Sequence, residues 1–238
     1  AFRAIEIARE RAGEWRVARR RIGIMGFSAG GHLAAWLTSR APVESYPPMD
    51  AVDRQPVRAA LAAYLYPVIQ MEGPFVHKGS RTQLLGENPS PERIRAYSLD
   101  QDVSAQTPPV FLAHAIDDPA VPVDNSIAML AALRAQKIPT ECHLFENGGH
   151  GFGITAQAQS AAPWPDLFLA FAGICFAALL VALFQSRRTT RHPIEKNQLD
   201  WLFWAGLLAA VPVGYTLALA LSNDNDHRVE FALGWTAR

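Results

Sequence analysis

Runs rich in apolar residues alternate with helix-favouring stretches along the first 150 positions of the chain. Four runs have the length and content of buried strands, and they occupy residues 21–27, 59–69, 109–115 and 140–145. The stretches around them predict helices at residues 2–16, 31–40, 91–97 and 123–136. Strands that alternate with helices predict an α/β fold with a parallel sheet and helices on both faces.

Two parts of this pattern leave alternatives open. The alanine content of residues 59–69 is also compatible with a helix. Residues 70–107 look irregular apart from the short helix at 91–97. A lid or an insertion that contacts substrate would lie in this segment.

The C-terminal part of the chain has a different pattern. Residues 167–184 and 202–221 are apolar and uncharged, and each is close to the length that spans a bilayer. Neither run has a polar face, which favours a membrane hairpin. Basic residues between the runs predict a cytoplasmic linker and an extracytoplasmic, periplasmic N-terminal part. In the soluble alternative the first run is a buried hydrolase helix and the second is a hydrophobic helix packed on it, and the protein is then cytoplasmic.

Composition and charge narrow the possible functions. Lysine plus arginine and aspartate plus glutamate are both 22, and no basic patch interleaved with aromatic residues suggests a nucleic-acid partner. The seven histidines are dispersed and no C-x-x-C occurs, so we expect neither a metal site nor a cofactor. Cys142 and Cys175 lie in a predicted strand and an apolar run, which disfavours a disulfide between them.

Residues 26–30 have the sequence GFSAG between a predicted strand and a predicted helix. In that context the G-x-S-x-G pattern predicts a nucleophile elbow with Ser28 at its tip. We expect Gly26 and Gly30 to be glycine because the turn leaves no space for side chains. The N–H of Ala29, at the start of the helix, is a candidate oxyanion donor.

A serine nucleophile needs a base, and the base needs an acid that orients it. Ser28, Asp118 and His150 occur in the chain order Ser, Asp, His, and each follows a predicted strand. Open α/β sheets carry their sites at that edge. Asp117 competes with Asp118 for the acid role, and the pattern of residues does not separate them.

The other singled-out histidines have structural interpretations. We expect His32 to pack or cap on the helix after the elbow. His114 lies inside a strand and is expected in the core or behind the site. His143 alternates with its strand neighbours and is expected to be exposed.

Several motifs resemble the α/β-hydrolase esterases that are described as acetylxylan-esterase-like or carbohydrate esterases. They are GFSAGGHLA at 26–34, TPPVFLAH at 107–114, DDPAVPVDNS at 117–126, LFENGGHGFG at 144–153 and WPDLF at 164–168, with LLG at 84–86 and SPE at 90–92. The resemblance covers about residues 1–171. It implies hydrolysis of esters, commonly acetyl groups on sugars or xylan, with Asp118 as the acid. Ala115 replaces the glycine usual after the motif's histidine.

The resemblance also predicts what this chain lacks. The family carries an H-G-G-G-like oxyanion loop and further strands before the elbow, so we expect an N-terminally truncated hydrolase that is weakly active or inactive alone. The predicted segments are a partial hydrolase domain, a last hydrolase helix running into a candidate transmembrane helix, a basic linker, a second candidate transmembrane helix and a polar tail, at residues 1–162, 163–184, 185–200, 201–222 and 223–238. A fusion or a gene-model accident would produce the same junction.

The sequence therefore supports three candidate functions. The first is a serine esterase acting on a small-molecule or carbohydrate ester. The second is a membrane-associated remnant that keeps the triad but lacks the oxyanion loop. The third is a peptidase similar to prolyl oligopeptidase, to which the family is related, as it is to dienelactone hydrolase.

Overall fold

The computed structural model of the protein describes residues 2–40, 47–154 and 159–189. Residues 190–200 of the predicted linker, the second candidate transmembrane helix at 201–222 and the tail at 223–238 lie outside the described residues.

The structure contains the predicted parallel sheet. Its strands are β1 (Ile24–Phe27), β2 (Ala62–Leu65), β3 (Val110–Ala115) and β4 (Thr140–Phe145). They lie in the order β1-β2-β3-β4, and all three neighbouring pairs are parallel. The helical alternative for residues 59–69 is wrong, because Ala62–Leu65 pairs on both sides within the sheet.

Six α-helices are described: α1 (Phe2–Glu10), α2 (Ala29–Ser39), α3 (Lys78–Leu85), α4 (Pro91–Tyr97), α5 (Asp124–Ala135) and α6 (Trp164–Thr189). The first helix is shorter than predicted and gives way to turns before Gly13, a residue that disfavours helix. Helix α3 was not predicted, because its sequence KGSRTQLL has few apolar residues to form a stripe. Its first turn is capped by His77, which accepts a hydrogen bond from Ser80 N.

Helices cover both faces of the sheet. On one face α2 and α5 pack on strand residues in a buried cluster that includes Ala34, Tyr64, Leu112, Met129 and Leu133. Side chains alternate along a strand, so Phe111 points to the opposite face. There its ring contacts Phe168 of α6, with centroids 5.5 Å apart. Because all four strands are parallel, their C-terminal ends lie together at one edge of the sheet.

The chain divides into two compact units, Ala1–Phe168 and Leu169–Arg238. Helix α6 begins in the first unit and continues into the second. Its segment Trp164–Ser186 is the one helix in the described part of the chain that is long and apolar enough to cross a membrane.

Candidate active site

Ser28, His150 and Asp118 meet at the C-terminal edge of the sheet. Ser28 directly follows β1, Asp118 lies in the turn after β3, and His150 lies in the loop after β4. His150 Nε2 is 2.9 Å from Ser28 Oγ, and His150 Nδ1 is 2.7 Å from Asp118 Oδ2. An ionised carboxylate only accepts hydrogen bonds, so Nδ1 carries the proton and Nε2 is free to accept the serine proton.

The backbone of Ser28 has the unusual conformation of a strained turn. Its φ is 54° and its ψ is −119°, a region that costs a non-glycine residue about 1–3 kcal/mol. Backbone hydrogen bonds hold it there, because Ser28 N donates to Leu65 O and Ser28 O accepts from His32 N and Val68 N. The strain places the serine side chain at the start of α2, facing His150.

Neighbouring atoms come so close to Gly26 and Gly31 that these two positions require glycine. A Cβ on Gly26 would lie 2.0 Å from Gly30 O, and a Cβ on Gly31 would lie 2.8 Å from Pro67 Cβ. A Cβ on Gly30 would meet nothing within 4 Å, so the steric expectation for Gly30 is wrong. Gly30 matters through its backbone, because its carbonyl oxygen leaves no space for a side chain on Gly26.

Asp118 is fixed by four donors. Its Oδ1 accepts from Ala120 N and Val121 N, both at 2.9 Å. Its Oδ2 lies within 3.2 Å of His114 Nε2, besides accepting from His150. Burial on its own raises the pKa of the Asp118 carboxyl, but the bonds from both histidines and both N–H groups outweigh it and hold the pKa well below its usual range. The group is therefore ionised at neutral pH.

Asp117 has a different position from its neighbour. Its Oδ1 accepts a hydrogen bond from Gly149 N at 2.8 Å. Gly149 precedes His150, so Asp117 braces the loop and Asp118 contacts the ring. The structure thus separates two carboxylates that the sequence pattern left as alternatives.

Tyr66 is a site neighbour that sequence reasoning missed. Its ring lies edge-on to His150 with centroids 5.1 Å apart, and it also packs edge-on with Phe152, with centroids 4.6 Å apart. Tyr66 has a φ of 38°, and burial raises the pKa of its hydroxyl. The pair Tyr66-Pro67 gave no signal for this position, because a residue before proline is expected to be extended with a negative φ.

The positions of three further histidines can be compared with the expectations from the sequence. His32 packs in the interior, with Nδ1 3.2 Å from Val68 O, and burial lowers its pKa to about 4. His143 was expected to be exposed, but its side chain is only 22% exposed and its Nε2 lies 3.0 Å from Glu141 Oε1. That expectation was wrong because β4 is flanked by aromatic rings, including Phe111. His114 is completely buried behind Asp118.

Ala29 is the first residue of α2, so no earlier turn of the helix accepts its N–H. A cavity of about 740 Å³ adjoins this residue. Its wall is formed mainly by apolar side chains, among them Leu33, Trp36, Val68, Met71, Leu84 and Tyr97. The cavity offers space for part of a substrate beside the elbow.

Residues 2–40, 47–154 and 159–189 contain no group of three or more histidine, cysteine, aspartate or glutamate side chains placed to hold a metal ion. Cys142 and Cys175 are free thiols.

A family model matches more than half of the chain. Residues 2–133 match the family model BD-FAE. The chain is 34% identical over 158 residues to endo-1,4-beta-xylanase B of Butyrivibrio fibrisolvens, covering 64% of this chain and 24% of that protein. It is 36% identical over 154 residues to the acetylxylan esterase of Xylanibacter ruminicola, covering 62% of this chain and 29% of that protein. The chain thus spans only 24% and 29% of the lengths of these two relatives.

Solved structures show the same fold. The acetyl ester-xyloside bifunctional hydrolase from Caldicellulosiruptor lactoaceticus is 36% identical, with a TM-score of 0.64, covering 72% of this chain and 64% of that chain. A truncated carbohydrate esterase from gut microbiota is 21% identical with a TM-score of 0.59, covering 71% of this chain and 66% of that chain. The second likeness concerns the fold alone.

Proposed function

This chain belongs to the BD-FAE family and has the α/β-hydrolase fold, and from that premise we propose that it is a serine esterase. Ser28 is the nucleophile, His150 the general base and acid, and Asp118 the carboxylate that orients His150. One observation carries the proposal: an unbroken line of hydrogen bonds joins Ser28 Oγ, the His150 ring and Asp118 Oδ2.

In the acylation step, Ser28 Oγ attacks the carbonyl carbon of the ester while its proton passes to His150 Nε2. The ionised Asp118 stabilises the imidazolium that forms. The N–H of Ala29 donates to the oxyanion of the tetrahedral intermediate. When the intermediate collapses, the bond to the alcohol oxygen breaks and His150 returns the proton to that oxygen. The products are an acyl-Ser28 and a free alcohol.

Deacylation repeats the sequence with water as the nucleophile. His150 Nε2 accepts a proton from water, and the hydroxyl oxygen attacks the acyl carbon. Collapse breaks the bond to Ser28 Oγ, which regains the proton from His150. The carboxylic acid leaves, and the hydrogen-bond line is restored.

The relatives support acetyl esters of carbohydrates as the substrate class. Two of them, each 36% identical to this chain, are named as an acetylxylan esterase and an acetyl ester-xyloside hydrolase. The cavity beside Ala29 leaves room for a group larger than acetyl, such as a sugar ring. We assign acetylated xylan fragments as the substrates to test first.

A fluorophosphonate probe tests the nucleophile directly, because it phosphonylates serines activated by a base. We expect one adduct in the full chain, on the tryptic peptide of residues 22–40. That peptide also contains Ser39, and fragment ions should place the adduct on Ser28. Release of acetate from acetylated xylan tests the substrate class. An unlabelled Ser28 would instead support the non-catalytic remnant.

We also propose that α6 attaches the protein to a membrane. Only 6% of the most apolar stretch of Trp164–Ser186 is buried, whereas a core helix of a soluble protein is mostly buried. Ile174, near the middle of this segment, is 68% exposed. Apolar side chains exposed along such a length favour lipid as their surroundings.

Replacing Ile174 with lysine is expected to weaken membrane attachment strongly. A charge near the centre of a span costs about 3 kcal/mol, which corresponds to roughly a 100-fold loss of partitioning. Flotation of the full chain with phosphatidylcholine vesicles measures it. Ile127→Lys is the matched control, because Ile127 is an exposed residue of α5. Wild-type protein that stays at the bottom of the gradient would refute the attachment.

A further inference from the structure

His114 is a completely buried histidine in contact with the carboxylate of Asp118. Its Nε2 lies 3.2 Å from Asp118 Oδ2 and 3.0 Å from Val121 O. Its Nδ1 lies 2.8 Å from Ser126 Oγ on α5. Both His114 and Ser126 are 0% exposed, so no water competes for these bonds.

The partners of His114 determine which ring nitrogen carries the proton. Asp118 Oδ2 and Val121 O are both acceptors, so Nε2 must be protonated to bond with them. In the neutral ring Nδ1 is then a lone-pair acceptor, and the Ser126 hydroxyl is its donor. Every polar atom of the ring has a partner in this tautomer. The opposite tautomer would aim a lone pair at two oxygens.

We propose that Ser126 and His114 are positioning residues that hold Asp118 Oδ2 in line with His150. Ser126 binds Nδ1 and so holds the orientation of the His114 ring, and the His114 Nε2–H then fixes the oxygen that His150 contacts. This inference rests on the proposed esterase function.

The geometry explains why a second histidine is needed. The two backbone N–H groups bind Oδ1, and they leave the carboxylate free to tilt about that oxygen. His114 binds the other oxygen, on which His150 also depends. A tilted carboxylate would release the His150 ring, and Nε2 would lose its alignment with Ser28.

Ser126→Ala separates this role from simple packing. The change removes one hydroxyl that has no contact with Ser28 or His150, so it acts only through His114. We expect the rate constant for labelling of Ser28 by a fluorophosphonate to fall about tenfold, as for the loss of one buried hydrogen bond. Ser126→Thr keeps the hydroxyl and should recover most of the rate.

Thr38→Val is the matched control for loss of a buried hydroxyl. Thr38 Oγ1 bonds to Ala34 O, Ala35 O and Tyr64 Oη, and none of these contacts Asp118. The labelling rate of Thr38→Val should stay within about twofold of wild type, because the change costs stability as Ser126→Ala does but removes no bond that leads to Asp118. Equal losses in Thr38→Val and Ser126→Ala would show a merely structural role, and an unchanged rate in Ser126→Ala would also overturn the proposal.

Nitrogen-15 NMR of the histidine rings gives a readout that does not depend on catalysis. In the wild-type full chain, His114 should show an unprotonated Nδ1 and a protonated Nε2, with its signal assigned by its loss in His114→Asn. Ser126→Ala should keep Nε2 protonated and shift the Nδ1 signal, because Nδ1 loses the hydroxyl that donates to it. A protonated Nδ1 in wild type would overturn the inference. Absence of labelling in wild type with the expected tautomer would count against the esterase function alone.

Discussion

Ser28→Ala is expected to reduce hydrolysis of p-nitrophenyl acetate to the rate of the buffer blank. Removal of the nucleophile from a serine hydrolase lowers kcat by up to roughly 10⁶-fold, because the covalent route is lost. The alanine side chain is smaller than serine, and the strained φ of 54° stays supported by the same backbone bonds. Initial rates of the variant and the wild-type chain, at equal concentration, measure the effect.

Ser104→Ala is the control for this experiment. Ser104 precedes β3, so it lies toward the opposite edge of the sheet from Ser28. Its rate should equal that of wild type. If Ser28→Ala retained the wild-type rate while remaining folded by circular dichroism, Ser28 would not be the nucleophile, and the proposed reaction would be wrong.

Asp118→Asn is expected to lower kcat by about 10⁴-fold with little change in KM. All the groups around this carboxylate are donors, so the amide nitrogen has no acceptor unless a partner changes its protonation. If the amide faces His150, it donates to Nδ1, and the ring proton moves to Nε2. The ring then cannot accept the proton of Ser28.

Asp117→Asn is the matched change at the neighbouring position. An asparagine keeps an oxygen that can accept the hydrogen bond from Gly149 N, so the loop is still braced. We expect less than about a fivefold loss of kcat, since an exposed hydrogen bond contributes about 1 kcal/mol or less. Steady-state kinetics of both variants on p-nitrophenyl acetate decide the assignment. A larger loss in Asp117→Asn than in Asp118→Asn would reverse the two roles.

Much of the fold followed from local patterns in the sequence. The strand at 140–145 and the helix at 91–97 have the predicted bounds, because their ends are marked by residues that favour turns or caps, such as Ser90. The predictions were less accurate where an apolar run was longer than the strand that pairs within it. Residues 59–69 contain a strand of only four residues, since only Ala62–Leu65 has a partner on each side.

Features that depend on packing were missed. Helix α3 has no apolar stripe, and its stabilising cap comes from a histidine side chain. The need for glycine at position 31 arises from Pro67, which is distant in sequence and adjacent in space. The same reason applies to Tyr66 and Ser126, whose contacts with His150 and His114 are made across elements.

The sequence by itself indicated a parallel sheet and a tight turn at Ser28, because alternating strands and helices and a G-x-S-x-G turn between them are patterns of neighbouring residues. It also predicted that Ser28, Asp118 and His150 lie past strand ends. Only the tertiary structure placed Asp118 against the His150 ring and Asp117 against the backbone of the loop. They are adjacent and chemically identical, so the distinction depends on where the loop after β4 places Gly149 N and His150 Nδ1, 32 residues further along the chain.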